Sequence, residues 1–415
     1  MHETETSEIP RGRRRLLKLL TLVIGIGFAL VLLEVGLRVV GYSSPEFYEA
    51  DETLGYRLIP GMSGWYTREG RSWVTINSDG FRDVEHTIEK PADVYRIAVI
   101  GDSYVEGLQV DREEMFTNYL GPAAASCDAA AGKNVETLTF GVSGYGTAQE
   151  LLMLREKVLK YSPDLVLLMV TTNNDISDNL RAFKQTPIPY FQVGNGQLVL
   201  DDSFRSDRKF LMRDAWYSRL GTWLKNNLRF MQAIADVQRT LKYKWDDWSE
   251  RRRRAAATLE SPANPQPQDP NPAFEAGIDL QIYRPPSDDN WRAAWDVTEK
   301  LIAEMNTESL AHGARFAVII GSNGVQVLPD KKQREDFAKT MGVDDLLSPN
   351  RRLASFCTAS GIPVEDVVPE LADYSERTGT VLHGFPGNIG YGHWNQAGHT
   401  VAGETIASHL CDLMR

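Results

Sequence analysis

Between residue 93 and the C-terminus, short continuous apolar runs alternate with stretches whose apolar residues recur every three or four positions. YRIAVIGDS (95–103), VETLTFG (135–141) and LVLLMVTTNND (165–175) are the first three runs, and runs this continuous read as strands buried on both faces. A helix-like segment starts near Glu113. In TAQELLMLREKVLKY (147–161), Leu151, Leu152, Leu154 and Val158 fall at helical spacing. The alternation breaks off near 178 and resumes with a helix at 291–312, a strand ARFAVII (314–320), a helix near 330–341, a strand IPVEDVV (362–368) and a last helix from Ala397 to Met414. Strands alternating with helices predict an α/β domain with a central parallel sheet and helices on each side.

Two stretches depart from that rhythm. Residues 41–92 lack helical periodicity and are punctuated by Gly, Pro and aromatic residues, which predicts an extended arm with short strands, turning at Asp79-Gly80 in VTINSDGFRD (74–83). Residues 178–290 read as an insertion within the 93–415 domain. It holds a hairpin in PYFQVGNGQLVLDD (189–202) turning at Asn195-Gly196, then aromatic and basic helical segments, then a Pro-rich loop, SPANPQPQDPNP (261–272). A lid, a membrane-resting face and a partner surface are three uses open to it. Arg251–Arg254 beside Trp245 and Trp248 could meet anionic headgroups, although a solvated helix face accounts for the Arg run alone.

The N-terminus has its own pattern. A basic tail (1–15) ends in RGRRR (11–15), Lys18 adds a further charge, and an apolar run extends to Leu33. From Leu16 it is long enough for ~27 Å of helix, close to a bilayer's hydrocarbon thickness. Glu46, Glu49, Asp51 and Glu52 follow it. The asymmetry predicts an uncleaved signal anchor over 16–40, N-terminus in the cytoplasm and the rest outside, single-pass in the inner or plasma membrane. A small-x-small cleavage site, Gly27-Phe28-Ala29, falls inside the apolar run.

Composition narrows the partners. The 415 residues are 42 % hydrophobic and 24 % charged, as expected of a largely globular chain, and the net charge of −11 argues against nucleic acid as a partner. Three cysteines, Cys127, Cys357 and Cys411, show no metal-ligand spacing, so no metal is expected. They read as three small buried hydrophobes, with a Cys357–Cys411 disulfide as the alternative in an oxidising compartment.

The chemistry is concentrated at the strand ends, where open parallel sheets bind their ligands. Ser103 follows the first strand in GDSYVEG (101–107), on a turn that would expose its hydroxyl, although a serine capping a helix would look the same. FGVSGYGT (140–147) follows the second strand and offers backbone N–H groups. TNND (172–175) follows the third and places Asn174 where its amide could meet an oxyanion. HWNQAGH (393–399) precedes the last helix and supplies two of the seven histidines.

In this order the four motifs resemble the SGNH (GDSL-like) hydrolases, from about Tyr95 to His409, and the arm and anchor look like a membrane-tethered bacterial branch of that family. The resemblance implies a flavodoxin-like three-layer sandwich and a serine esterase without cofactor. Its substrates would be esters outside the membrane, on cell-envelope glycans first and lipids second. It implies Ser103 as nucleophile and His393 as base. The oxyanion hole would be the N–H of Ser103, the N–H of Gly144 (Gly141 being the alternative) and the side chain of Asn174. His399 is left a structural place at the last helix, and Asp102 a role bracing the turn.

One position departs from the family. Its usual acid, three residues before the histidine, is here Gly390, and no carboxylate lies between Arg377 and Glu404. Three resolutions are open: a backbone carbonyl orients the imidazole, an acid from elsewhere such as Asp175 or Glu150 does so, or the site is slow or dead. Two other functions stay open as well, an O-acyltransferase working on a polysaccharide through the same acyl-enzyme and a non-catalytic envelope-binding protein.

Overall fold

A computed structural model describes residues 11–172, 174–260 and 280–415; Asn173 of the third motif, the first ten residues of the basic tail, the Pro-rich 261–272 stretch and the Arg251–Arg254 side chains lie outside the described residues. The chain divides into two units, Met1–Glu46 with Leu220–Asn264 and Phe47–Arg219 with Pro265–Arg415.

The larger unit is built on five parallel strands, β1 (Val94–Gly101), β2 (Asn134–Gly141), β3 (Leu165–Thr171), β4 (Arg315–Gly321) and β5 (Val364–Asp366). Their order across the sheet is 2-1-3-4-5, a doubly wound, flavodoxin-like arrangement whose switch point lies between β1 and β3. β1 and β3 are buried along their whole length, which is why both read as unbroken apolar runs. Successive side chains go to opposite faces. Ala98, Ile100, Val166, Leu168, Val318 and Ile320 join one core. Ile97, Val99, Leu167, Met169, Ala317 and Ile319 join the other. The helices Thr147–Glu156 and Asp289–Ala311 contribute to the first core, and Val368–Thr378 and Gln396–Leu413 to the second. The sheet therefore has helices on both faces.

Several expected elements are shorter or differ in kind. The segment near Glu113 is a pair of 3-10 turns and the five-residue helix Leu120–Ala124. IPVEDVV yields only the three-residue edge strand β5, because Val367 and Val368 turn away to pack in the second core. Two helices escape the apolar pattern, Ser348–Ala359 and Val368–Thr378, each with Pro in its first turn and few buried apolar positions. The hairpin Tyr190–Gly194 with Gln197–Asp201 turns at Asn195-Gly196 as expected.

The arm is two antiparallel ribbons, Tyr48–Asp51 with Gly55–Leu58 and Ser63–Tyr66 with Ser72–Thr75. It is part of the core: Phe47, Leu54, Leu58, Val74, Ile76 and Phe81 are buried in the first cluster. Arg82, buried, donates to the carbonyls of Glu106 and Gly107, at the end of the GDSYVEG motif, and of Val110 just after it. The cysteines correct both expectations. Cys127 pairs with Cys411, Cα atoms 5.2 Å apart, tying the 120–130 segment to the last helix, and Cys357 is the free, buried thiol.

The smaller unit contains the helix Arg11–Val39, ~43 Å long, and none of its most apolar 18-residue window is buried. It also contains the helix Arg229–Glu260 and the end of the helix Trp216–Asn227.

Candidate active site

β1 ends at Gly101, Asp102 caps the next turn by accepting from Tyr104 N (2.9 Å), and Ser103 opens the four-residue helix Ser103–Glu106. Asp102 is fully engaged in bracing: its other oxygen accepts from the Thr171 hydroxyl (2.8 Å) at the end of β3. The turn packs hard on the neighbouring strand end, where a Cβ on Gly141 would lie 2.1 Å from Glu106 N. Gly141 is thus a packing contact for the turn that carries Ser103.

The Ser103 hydroxyl donates to His393 Nε2 (2.7 Å). That fixes Nδ1 as the protonated nitrogen, and it faces Glu69 Oε2 at 2.5 Å. Glu69 Oε1 accepts from the His393 backbone N–H (3.1 Å), so one carboxylate holds both the ring and its main chain. Burial pushes the Glu69 carboxyl up, but the side-chain and backbone hydrogen bonds from His393 outweigh that and hold it below the usual carboxylate range.

Glu69 is the residue the motifs missed. It sits at the tip of the Ser63–Tyr66/Ser72–Thr75 ribbon, 324 positions from its partner. No spacing rule links two residues so far apart. The ribbon is anchored beside the site by Ser72 Oγ donating to Leu108 O (2.5 Å). The histidine loop is shaped to receive it: Gly392 has φ +81°, and a Cβ there would lie 2.3 Å from Glu69 Oε1. Gly390, where the acid was sought, has φ +90°, and a Cβ would fall 2.9 Å from Leu328 Cδ2. An L-aspartate fits poorly there on both counts.

The two acids named from sequence lie elsewhere. Asp175 Oδ2 accepts from Thr171 N (2.7 Å), closing the turn after β3. Glu150 is buried on the Thr147–Glu156 helix, and neither of its carboxylate oxygens has a hydrogen-bond partner among the described residues. Burial and neighbouring acids, Glu150 and Asp102 beside Asp175 and Asp102 beside Glu150, push both carboxyls well above the usual carboxylate range. Neither contacts His393.

The expected donors of an oxyanion hole are set by their neighbours. Tyr56 OH donates to Ser143 O (2.8 Å) and Lys184 Nζ to Gly144 O (2.9 Å). With the Ser143 carbonyl held, its trans peptide directs the Gly144 N–H the opposite way. Neither that N–H nor that of Ser103 has a partner among the described residues. Asn174 Oδ1 lies 2.9 Å from the Thr171 hydroxyl oxygen, a second acceptor competing with Asp102 for its one hydrogen, and the Asn174 amide nitrogen donates to Tyr145 O (3.4 Å). Below this loop, Glu106 accepts from Tyr48 OH (2.9 Å) and Ser143 N (2.9 Å), and burial pushes its carboxyl up to about 7.

Two other histidines of the C-terminal region, His383 and His399, are buried and held by their neighbours. His383 donates from Nδ1 to Gly392 O (2.6 Å) and accepts at Nε2 from Ser322 Oγ (2.8 Å), which in turn accepts from Trp394 Nε1 (2.8 Å). Burial holds it neutral, down to about 4. His399 stacks on Phe116 and accepts from its N–H (3.4 Å), and burial pushes it down to about 3. Asn395, rather than His399, caps the last helix, accepting from Gly398 N (3.0 Å). Tyr104 packs against the His393 ring, centroids 5.3 Å apart, and donates to Gly392 O (3.2 Å). Among the described residues one group of donors could hold an ion, Glu365, Glu370 and His409; its His409–Glu365 pair is 3.7 Å apart.

No family model matches the chain, and no curated protein matches it. Solved structures similar to it include the acetyl xylan esterase AlAXEase, at 10 % identity and a TM-score of 0.36, covering 76 % of this chain and 99 % of that one. A lipase/acylhydrolase from Enterococcus faecalis is similar at 12 % identity and a TM-score of 0.35, covering 77 % and 96 %. TesA is similar at 13 % identity and the same TM-score, covering 77 % and 99 %. At such values the likeness carries no weight for activity.

Proposed function

We propose that this chain is a membrane-anchored serine esterase working outside the cytoplasm, with Ser103 as nucleophile, His393 as base and Glu69 as the acid that orients it. The observation that carries the reading is the unbroken relay from the Ser103 hydroxyl through the His393 ring to the Glu69 carboxylate. In the first step His393 Nε2 takes the hydroxyl proton as Ser103 Oγ attacks the acyl carbon. The tetrahedral oxyanion is met by the N–H groups of Ser103 and Gly144 and by the Asn174 amide. Collapse expels the alcohol with the proton held on His393. Water, deprotonated by the same nitrogen, then releases the acid and restores Ser103. Glu69 keeps the ring in the working tautomer and stabilises its charged form.

Support for the compartment comes from the basic N-terminal flank, the apolar helix Arg11–Val39 and the Cys127–Cys411 pair, a bond that persists in oxidising surroundings. Acyl esters of envelope glycans are the first substrate class and lipids the second. The resemblance of the four motifs is the support for this. A fluorophosphonate tests the core of the reading: wild type labels, Ser103→Ala does not, and His393→Ala and Glu69→Ala lose most of the labelling rate. Full labelling of Ser103→Ala would sink it. An acetyl-ester assay with and without glycan separates hydrolysis from transfer.

A further inference from the structure

The helix Arg229–Glu260 is amphipathic in the inverse sense for a protein in water. Its polar face is the one turned to the chain. Arg229 donates to Ser43 Oγ (2.7 Å), the buried Gln232 accepts from Ser44 N (2.8 Å), Asp236 accepts from the hydroxyls of Tyr42 and Ser44, and Arg239 donates to Ser44 Oγ (3.3 Å). The opposite face carries Ile234, Val237, Leu241, Trp245 and Trp248, at spacings that align on one side of a helix, and each is between 46 % and 66 % exposed. Leu220 and Trp223 on the preceding helix are exposed as well.

The same unit carries the apolar N-terminal helix, and the two are joined where the apolar run ends at Leu33. Phe230 N donates to Glu34 Oε2 (3.0 Å), and Arg38 donates to Asn227 O (2.8 Å). The start of the stripe is thereby fixed at the level where the N-terminal helix would leave a bilayer. Residues 220–254 hold nine Lys and Arg against four Asp and Glu, in a chain of net charge −11. Exposed Trp and Leu in a segment of basic sequence suit the boundary between acyl chains and anionic headgroups.

We infer that the Ile234–Trp248 stripe is a second membrane contact, lying in the lipid–water interface beside the anchor. It rests on the anchored reading above. The occupant is the bilayer surface, since the stripe continues from the membrane-exit point and its segment is basic in sequence.

The test uses the full chain in nanodiscs of phosphatidylcholine and phosphatidylglycerol. Cys127 and Cys411 are paired and Cys357 is buried, so a new surface cysteine can be labelled selectively with an environment-sensitive dye. Val237→Cys and Leu241→Cys report on the stripe, Val23→Cys on the anchor and the exposed Lys332→Cys on solvent. The expected result is at least twofold quenching of the 237 and 241 probes by lipids spin-labelled high on the acyl chain, with none at 332. Quenching at 23 with none at 237 and 241 overturns the interfacial stripe and leaves the anchor standing. Probes at 237 and 241 shielded from both lipid and aqueous iodide assign the stripe to a protein partner and also overturn it. Absence of quenching at 23 removes the anchor and the stripe together.

Discussion

At the residue scale, the site is decided by one carboxylate and two glycines. Glu69→Gln removes the charge that orients His393 and stabilises its protonated form, yet keeps the shape, so kcat/KM should fall by about 10²–10⁴ with the fold intact. Ester hydrolysis together with circular dichroism checks this, and unchanged activity would leave Glu69 a structural contact only. Gly392→Ala should act through the same acid. The added methyl would overlap Glu69 Oε1, so the carboxylate withdraws and activity falls toward that of Glu69→Ala. Gly390→Asp placed on Glu69→Ala should not restore activity, because the left-handed backbone strains any L side chain there and the Leu328 methyl would have to shift to admit it. Recovery in that double variant would mean that the loop relaxes to the usual arrangement.

At the element scale, the arm and the last helix matter more than their sequences suggest. The arm supplies Tyr48, Tyr56 and Glu69 to the loops that follow β1, β2 and the histidine motif, so it completes the site as well as covering the core. The last helix starts three residues after His393 and is tied near its other end by Cys127–Cys411. Opening that disulfide should cost about 2–5 kcal/mol of stability. It lies ~23 Å of helix from the site, so turnover at low temperature should be retained. Denaturant midpoints and initial rates of Cys127→Ser against wild type separate the two. A loss of rate without a loss of stability would contradict the tethering role.

For the whole molecule, buried titratable groups set a pH signature. His399 is neutral when folded, with its pKa pushed from the ordinary 6.5 down to about 3. The unfolded chain takes a proton there below about pH 6.5 that the native state refuses, so this contribution is intact above that pH and is lost as pH falls toward 3. Glu106, Glu150 and Asp175 act in the opposite sense, since each is raised and its burial costs stability as pH rises. The total slope is therefore mixed, and the informative quantity is a difference. Relative to wild type, His399→Leu should gain about 1.4 kcal/mol per pH unit between pH 6 and pH 4. Calorimetry in detergent at several pH values reads that gap directly, and a gap independent of pH would refute the buried neutral imidazole.

The alternation of continuous and periodic apolar runs was enough to determine the parallel sheet and its main strands, and with them the strand ends that carry Ser103 and Asn174, whereas Gly144 and His393 were singled out by the resemblance of their motifs. Those features are local: burial on both faces writes a strand as an apolar run, and a strand end writes its loop as small and polar residues. Short elements such as β5 and the Pro-initiated helices were less legible because few of their side chains are buried. The acid was not legible at all. A hydrogen bond between residues 69 and 393 leaves no periodicity or spacing in either segment, and only the packing of the arm against the histidine loop brings them together. The same holds for the disulfide and for the inverted face of the 229–260 helix. Three cysteines allow three pairings, and an apolar stripe does not say which side faces the chain until its polar side is seen hydrogen-bonded to Ser43 and Ser44.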